Sequence, residues 1–197
     1  VACEREIEAA MPGRVLQVRS GLIVGPYDPT NRFTYWPVRV QQGGEFVAPV
    51  GPDYPIQIIL GADQARWILH MLKIDQMGTY NVSSDDGTYT LGDVIQATRT
   101  VTGSQADPVW LSDDFLLGAD VGPWMELPLW LPGDALNMSR VSCAKAVSRN
   151  LQFTSLDQVV ESTLAWYHEQ PERDWPAGLA AEREEALLRA WRAQSGS

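Results

Sequence analysis

The feature that most limits the fold is a short apolar run near the amino terminus, which is followed by a loop of glycine, arginine and aromatic residues. The run covers residues 15–19, resumes over 22–24 after Ser20-Gly21, and ends at Gly25-Pro26. Runs bounded in this way by glycine and proline are typical of buried strands. In an open α/β sheet, ligands bind beyond the carboxyl ends of the strands. The loop that follows is therefore a candidate ligand-binding wall.

Helical and strand patterns alternate along the rest of the chain, which predicts the α/β class. Thr90 and Asp93 have the spacing of a capping box at a helix start. Asp63 is expected to cap another helix, the one that follows the strand at 56–60. Besides that helix, the patterns predict helices over residues 1–11, 91–102, 142–149, 156–167 and 177–194, and strands over 56–60, 79–82, 108–111 and 136–138.

Two long stretches lack a regular pattern. Residues 25–55 are rich in glycine and proline, and short turns or strands are expected only around residues 46–48. A loop of this length in a compact domain is usually functional or carries small elements of its own. Residues 112–134 contain three prolines, which exclude a regular helix through the stretch. Near the carboxyl terminus, the acidic run at 182–185 is expected to be a solvated helix face.

Composition and charge exclude several classes of partner. The net charge of the 197 residues is −10, and the 15 basic residues are scattered, whereas binding to nucleic-acid phosphates needs clustered cations. No apolar run is long enough to cross a bilayer, so we expect no membrane partner. Cys3 and Cys143 form no motif, which favours two reduced thiols in a cytoplasmic protein over a disulfide.

The sequence also lacks the best-known motifs of nucleotide and hydrolytic enzymes. It contains no G-x-G-x-x-G or G-x-x-G-x-x-G turn for a diphosphate, no Y-x-x-x-K pair and no G-x-S-x-G nucleophile turn. Its two histidines, His70 and His168, stand on separate predicted helices, so no metal-ligand cluster is expected.

Several stretches resemble the extended short-chain dehydrogenase/reductases, the NAD-dependent epimerase/dehydratase family. In residues 18–26, Val-Arg-Ser-Gly followed by Gly25-Pro26 is similar to the family strand V-R-P-G-x-x-x-G-P, with Ser20 in place of the proline. Residues 56–68 (IQIILGADQARWI), 78–82 (GTYNV) and 155–167 (SLDQVVESTLAWY) resemble later family elements, and all of them occur in family order.

The resemblance implies the C-terminal part of a Rossmann-like doubly wound sheet together with a smaller mixed α/β substrate-binding domain. Residues 1–30 and part of 56–82 would belong to the nucleotide-binding sheet. Residues 31–55 and 83–170 would form the substrate part, and 171–197 a helical extension. The family's catalytic tyrosine and lysine would stand just before a position like Cys3. The chain is thus expected to be a C-terminal portion, with a homodimer contact through the helix near residues 3–11.

The resemblance also implies site residues for NAD or NADP and for a small-molecule substrate. If Gly21 has no role in cofactor binding, it only relieves a tight turn. If the aromatic residues have no role in substrate binding, they belong to a loop packed on the core. Trp124 and Glu126 would belong to a lid over the site. The cofactor contacts would be Ser20, Gly21 and Leu22, and the substrate contacts Arg32, Phe33, Tyr35, Trp36, Trp124 and Glu126.

Two functions are compatible with these motifs and absences. In the first, the chain is part of an NAD(P)-dependent oxidoreductase or epimerase that acts on a carbonyl or alcohol carbon of a small organic substrate, and it is inactive alone. In the second, it is a stand-alone, non-catalytic binding or interaction module derived from that fold. The choices between NAD and NADP, and between reductase, epimerase and dehydratase chemistry, stay open.

Overall fold

The computed structural model describes residues 2–171 and 175–195, which form a mixed α/β fold. The regular elements, in chain order, are α1 (Ala2–Ala10), β1 (Leu16–Ser20), β2 (Leu22–Val24), α2 (Tyr35–Gln41), β3 (Glu45–Pro49), β4 (Pro55–Ile56), β5 (Ile58–Leu60), α3 (Gly61–Lys73), β6 (Gly78–Val82), β7 (Tyr89–Thr90), α4 (Leu91–Thr102), β8 (Asp107–Leu111), α5 (Asp113–Gly118), a 3₁₀ helix (Gly133–Ser139), α6 (Ala144–Val147), α7 (Leu156–His168) and α8 (Ala181–Ser195).

Most of the strand pairs are parallel, which confirms the predicted α/β class. β1 pairs with β6, β2 with β5 and β3 with β8, all parallel, while the short β4 and β7 are antiparallel. The predicted break at Ser20-Gly21 is the point where the chain changes partner. Ser20 lies opposite Val82 of β6, whereas Leu22 lies opposite Ile58 of β5. The carboxyl ends of β1 and β6 therefore meet where β2 begins.

Two apolar clusters hold the fold together. The larger one joins α2, β3, α4, α7 and α8 to the irregular chain after α5, and it contains the fully buried Trp36 and Trp130. The smaller one packs Trp67 and Met71 of α3 against Tyr80 and Val82 of β6. Among the described residues, no helix has the length and apolar character needed to cross a membrane.

The start of α4 confirms its predicted cap, but the start of α3 does not. The Thr90 side chain accepts a hydrogen bond from the Asp93 N–H, and the Asp93 carboxylate accepts one from the Thr90 N–H. α3 instead begins at Gly61 after Leu60, so Asp63 is not its cap. Asp63 is buried and accepts hydrogen bonds from the N–H and the hydroxyl of Thr154, both at 2.7 Å. It joins α3 to the chain that leads into α7.

Short elements occupy two of the stretches predicted to be irregular, and one predicted strand is wrong. α2 lies inside residues 25–55. Its Pro37 does not prevent the helix, because it falls in the first turn, where a missing N–H does not break the hydrogen-bond pattern. α5 begins after Ser112, whose side chain accepts the Phe115 N–H. The strand predicted at 136–138 is part of the 3₁₀ helix, because three alternating residues are too few to specify a strand.

Glu184 corrects the prediction of a solvated acidic face on α8. Its side chain is buried, and its two oxygens accept hydrogen bonds from Arg39 Nε at 2.7 Å and from the Val47 N–H at 3.1 Å. Arg39 also donates to the carbonyl oxygens of Gly43 and Glu45. This ion pair attaches α8 to α2 and β3.

Glu184→Ala should lower the free energy of unfolding by about 3–5 kcal/mol, because it leaves the Arg39 guanidinium and the Val47 N–H buried without their acceptor. Glu185→Ala is the matched control, since its contact with Arg189 is exposed and should contribute less than about 0.5 kcal/mol. Urea denaturation followed by circular dichroism measures both variants. Equal losses in the two would show that the pair does not hold α8.

Candidate functional site

A cavity of about 340 Å³ opens where β1 and β6 end and β2 begins. One wall is the point where the chain passes from β1 into β2, which is formed by Ser20, Gly21 and Leu22. The other walls come from Ser83, just after β6, from Trp124 in the irregular chain, and from residues 138–143. All three predicted cofactor residues therefore border one cavity at the carboxyl ends of parallel strands, where α/β folds bind ligands.

Gly21 is needed here for close packing rather than for a turn. Its φ is not positive, so the backbone conformation does not itself require glycine. A Cβ atom built on Gly21 would lie 2.4 Å from Ser83 Oγ and 2.7 Å from Ser83 Cβ. Gly21 therefore allows the Ser83 side chain to pack against the strand, and the tight-turn alternative does not explain this glycine.

Ser83 and Ser84 are both buried, but only one of the two hydroxyl groups has a partner. Ser83 is 3% exposed, and among residues 2–171 and 175–195 its Oγ has no hydrogen-bond partner. The neighbouring Ser84 Oγ accepts the Ile58 N–H at 3.2 Å. A buried polar group is normally paired, so the Ser83 hydroxyl on the cavity wall is available for an additional partner.

The wall formed by residues 138–143 is fastened by Gln57. Its Nε2 donates to the carbonyl oxygens of Ser84 and Val141, at 2.7 and 2.8 Å, and its Oε1 accepts the Val141 N–H at 2.8 Å. Cys143 also borders the cavity, and burial raises the pKa of its thiol. Both cysteines are unpaired, with Cys143 buried and Cys3 exposed.

Buried aromatic side chains hold the irregular chain that carries Trp124. Trp36 Nε1 donates to the Pro128 carbonyl oxygen at 3.0 Å. The Tyr54 hydroxyl donates to the Leu131 carbonyl oxygen at 2.9 Å and accepts the Leu131 N–H at 2.8 Å. Leu131 and Trp124 both border the cavity, so these hydrogen bonds position one of its walls.

Phe33, Tyr35 and Trp36 belong to the core and do not border the cavity, which is a correction to their predicted place. Phe33 and Trp36 are completely buried, and burial raises the pKa of the Tyr35 hydroxyl. The physical reason is that Tyr35 and Trp36 begin α2, which packs against α4 and α7, and Phe33 directly precedes that helix in the same core cluster. For these three residues the packed-loop alternative describes the structure.

Arg32 and Glu126 reach the cavity only through their neighbours. The Arg32 guanidinium lies 5.4 Å from the centroid of the Trp124 ring and donates to Met125 Sδ. Glu126 accepts the Gly122 N–H at 2.8 Å and pairs with Arg183 at 3.1 Å. Both residues support the conformation of the chain around Trp124.

The cavity has little net charge. Among its described lining residues, the one ionised side chain is Arg19, whose guanidinium makes two hydrogen bonds to the Glu4 carboxylate, at 2.7 and 2.6 Å. Within residues 2–171 and 175–195, no group of three or more histidine, cysteine, aspartate or glutamate side chains could hold a metal ion.

Sequence reasoning missed Gln57, Asn81, Ser83, Ser139 and Cys143 as cavity residues. A usable signal existed for Ser83, since it directly follows a predicted strand and ligands bind at the carboxyl ends of such strands. Cys143 and Ser139 lie far along the chain, and long-range contacts bring them to the cavity, among them those of Gln57 with Val141 and of Asp85 with the Cys143 N–H.

No protein-family model and no curated protein matches the sequence. Solved structures do match. UDP-N-acetylglucosamine 4-epimerase from Bacillus cereus superposes with a TM-score of 0.59 at 15% identity, over 88% of this chain and 54% of that one. UDP-glucose 4-epimerase from Thermotoga maritima, solved with UDP-glucose, has a TM-score of 0.56 at 17% identity, over 85% of this chain and 50% of that one. A GDP-L-fucose synthetase from Naegleria fowleri has a TM-score of 0.54 at 17% identity, over 79% of this chain and 46% of that one.

These likenesses show the fold. The chain has the fold of part of these epimerase and synthetase structures, and it spans about half their length. Other matching structures are complexes with NADPH, NAD+ or NADP. The predicted Rossmann-like α/β class is thereby confirmed.

Tyr54→Phe should lower the free energy of unfolding by about 1–3 kcal/mol, because the buried N–H and carbonyl oxygen of Leu131 both lose their partner. Tyr27→Phe is the control, since Tyr27 is exposed. Guanidinium denaturation measures both. An unchanged Tyr54→Phe protein would show that this contact does not hold the cavity wall.

Ionisation of Tyr54 should make the free energy of unfolding depend on pH in the alkaline range. Burial raises the pKa of Tyr54 to about 12, while an unfolded tyrosine titrates near 10. Above pH ~10 the unfolded chain binds fewer protons than the folded one, so stability is fully present below that pH and falls as the pH rises toward about 12. The fall should be smaller in Tyr54→Phe than in the wild type, as thermal melts between these pH values would measure.

Proposed function

We propose that this chain forms the substrate side of an NAD(P)-dependent oxidoreductase or epimerase that acts on a carbonyl or alcohol carbon of a small organic substrate. The observation that carries the proposal is the cavity at the carboxyl ends of β1 and β6. Ser20, Gly21 and Leu22 border it, and these are the residues at which the family resemblance puts the nicotinamide. The matching epimerases and reductases support the same reaction class.

The residues present fit one end of the cofactor. Ser20 and Gly21 lie exposed at the strand end and border the cavity, where the edge of a flat ring would meet their backbone. For the diphosphate, the sequence offers no glycine-rich turn. NAD or NADP would supply or accept the hydride, and the groups that hold its phosphates would come from outside residues 1–197.

In the complete enzyme, this chain's own residues would bind and orient the substrate. Trp124 would cover the cavity and exclude water, with Arg32 holding the indole ring in place through their contact. Gln57 would keep the opposite wall closed. Acid–base chemistry would need the family's tyrosine and lysine pair, which is absent from this sequence, so the isolated chain would not turn over substrate.

Two further parts of the proposal concern the surroundings of the chain. Ile7 and Met11 are exposed in and just after α1, which has no buried residue, and they would take part in a homodimer contact. The two unpaired thiols support a cytoplasmic location.

A stand-alone binding module is the second candidate function, and the missing Y-x-x-x-K pair favours it. The reading frame that precedes the Val1 codon distinguishes the two. A tyrosine and lysine in that spacing shortly upstream, preceded by a glycine-rich turn, would support the enzyme. A stop codon immediately upstream would support the module.

Residues 1–197 alone should bind NADH or NADPH only weakly, with a dissociation constant above about 1 mM, because no helix start preceded by a glycine-rich turn is present to hold the diphosphate. Titration followed by nicotinamide fluorescence measures this, with RMD from Pseudomonas aeruginosa, which was solved with NADPH, and NADPH as the positive control. Micromolar binding by this chain would contradict the assignment of the phosphate contacts to residues outside it.

A further inference from the structure

The Ser83 hydroxyl belongs to a cavity-wall residue, is buried, and has no hydrogen-bond partner in the part of the chain that the structure describes. Its Oγ lies against the bare backbone of Gly21. A buried hydroxyl in this condition costs stability unless something else pairs with it. Ser83 itself borders the cavity, so its side chain stands next to the space that a bound molecule would occupy.

The other polar groups of the cavity are largely committed to the protein itself. The Gln57 amide makes three hydrogen bonds to backbone atoms. Asn81 Nδ2 donates to the Ser142 carbonyl oxygen at 3.2 Å. The Arg19 guanidinium faces the Glu4 carboxylate with two of its nitrogens. These groups therefore have hydrogen-bond partners and a counter-charge within the protein, and they do not need a ligand for either.

The remaining surface is mostly apolar and carries no free charge. Its apolar members, all on the cavity wall, are Leu22, Val82, Trp124, Leu131, Met138 and Val141. A diphosphate needs several donors or cations at close range, and the described cavity lining contains no lysine and no arginine other than Arg19.

We propose that this cavity takes an uncharged, mainly apolar ligand that carries one hydroxyl or carbonyl oxygen, and that Ser83 Oγ hydrogen-bonds that oxygen. The volume of about 340 Å³ suits a one- or two-ring molecule. The inference rests on the proposed function and names its substrate class. It separates this chain from the matching enzymes that are named for UDP- and GDP-sugars.

Three probes test the ligand class: 1-indanone, which has one carbonyl oxygen, indane, which has the same rings without the oxygen, and UDP-glucose. Ligand-observed NMR and calorimetry measure their affinities for residues 1–197. We expect 1-indanone to bind about 5- to 10-fold more tightly than indane, the size of one hydrogen bond, and more tightly than UDP-glucose. Tighter binding of UDP-glucose would overturn the uncharged class.

Ser83→Ala tests the residue, with Ser84→Ala as its matched control. The two serines are adjacent and equally buried, but Ser84 Oγ already accepts the Ile58 N–H. Ser83→Ala should lower the affinity for 1-indanone about 5- to 10-fold and leave that for indane unchanged. Ser84→Ala should change neither. An unchanged 1-indanone affinity in Ser83→Ala would remove Ser83 from the site and leave the proposed function standing. Failure of 1-indanone to bind would overturn the proposed ligand class, whereas the upstream reading frame and the nucleotide titration test the proposed function separately.

The stability of the ligand-free protein gives a second readout that needs no probe. Ser83→Ala removes a buried hydroxyl without a partner, so its melting temperature should equal or exceed that of the wild type. Ser84→Ala leaves the Ile58 N–H without its acceptor, and its melting temperature should fall by about 2 °C or more. Equal falls in the two variants would show that the Ser83 hydroxyl has an internal partner, and would contradict the proposal.

Discussion

Residues 127–131 of the irregular chain between α5 and the 3₁₀ helix are buried, and their backbone polar groups must therefore be satisfied by something other than a helix or a sheet. Buried aromatic side chains do much of this. Trp36 donates to the Pro128 carbonyl oxygen, and the Tyr54 hydroxyl pairs with both backbone groups of Leu131. Trp130 in turn donates to the Asp113 carboxylate at 2.7 Å. The cavity wall formed by Trp124 and Leu131 depends on these contacts.

The point where the chain passes from β1 into β2 could largely be predicted from the sequence. The interruption at Ser20-Gly21 marks the place where β1 leaves β6 and β2 joins β5. The α4 cap and its end at Gly103, where φ is 72°, are also local and predictable. The cofactor-side residues followed from the resemblance, and the same strand-end rule would have indicated Ser83.

Long-range contacts account for what could not be predicted. Glu184 lies in an acidic run that is otherwise solvated, and its burial depends on Arg39 in a distant helix. Phe33, Tyr35 and Trp36 have the composition of a binding surface, yet α2 turns them into the core. Aromatic residues are common both in ligand pockets and in cores, so composition alone does not separate the two uses.

The fold and the chemistry of the cavity therefore carry different information. The fold is shared with enzymes that are named for nucleotide-linked sugars, whereas the cavity combines apolar walls, a neutralised arginine and one unpartnered hydroxyl. A crystal structure of the chain with 1-indanone tests this combination most directly. We expect the carbonyl oxygen about 2.7–3.0 Å from Ser83 Oγ and the rings against Trp124. A ligand bound elsewhere, or one in the cavity with its oxygen turned away from Ser83, would contradict it.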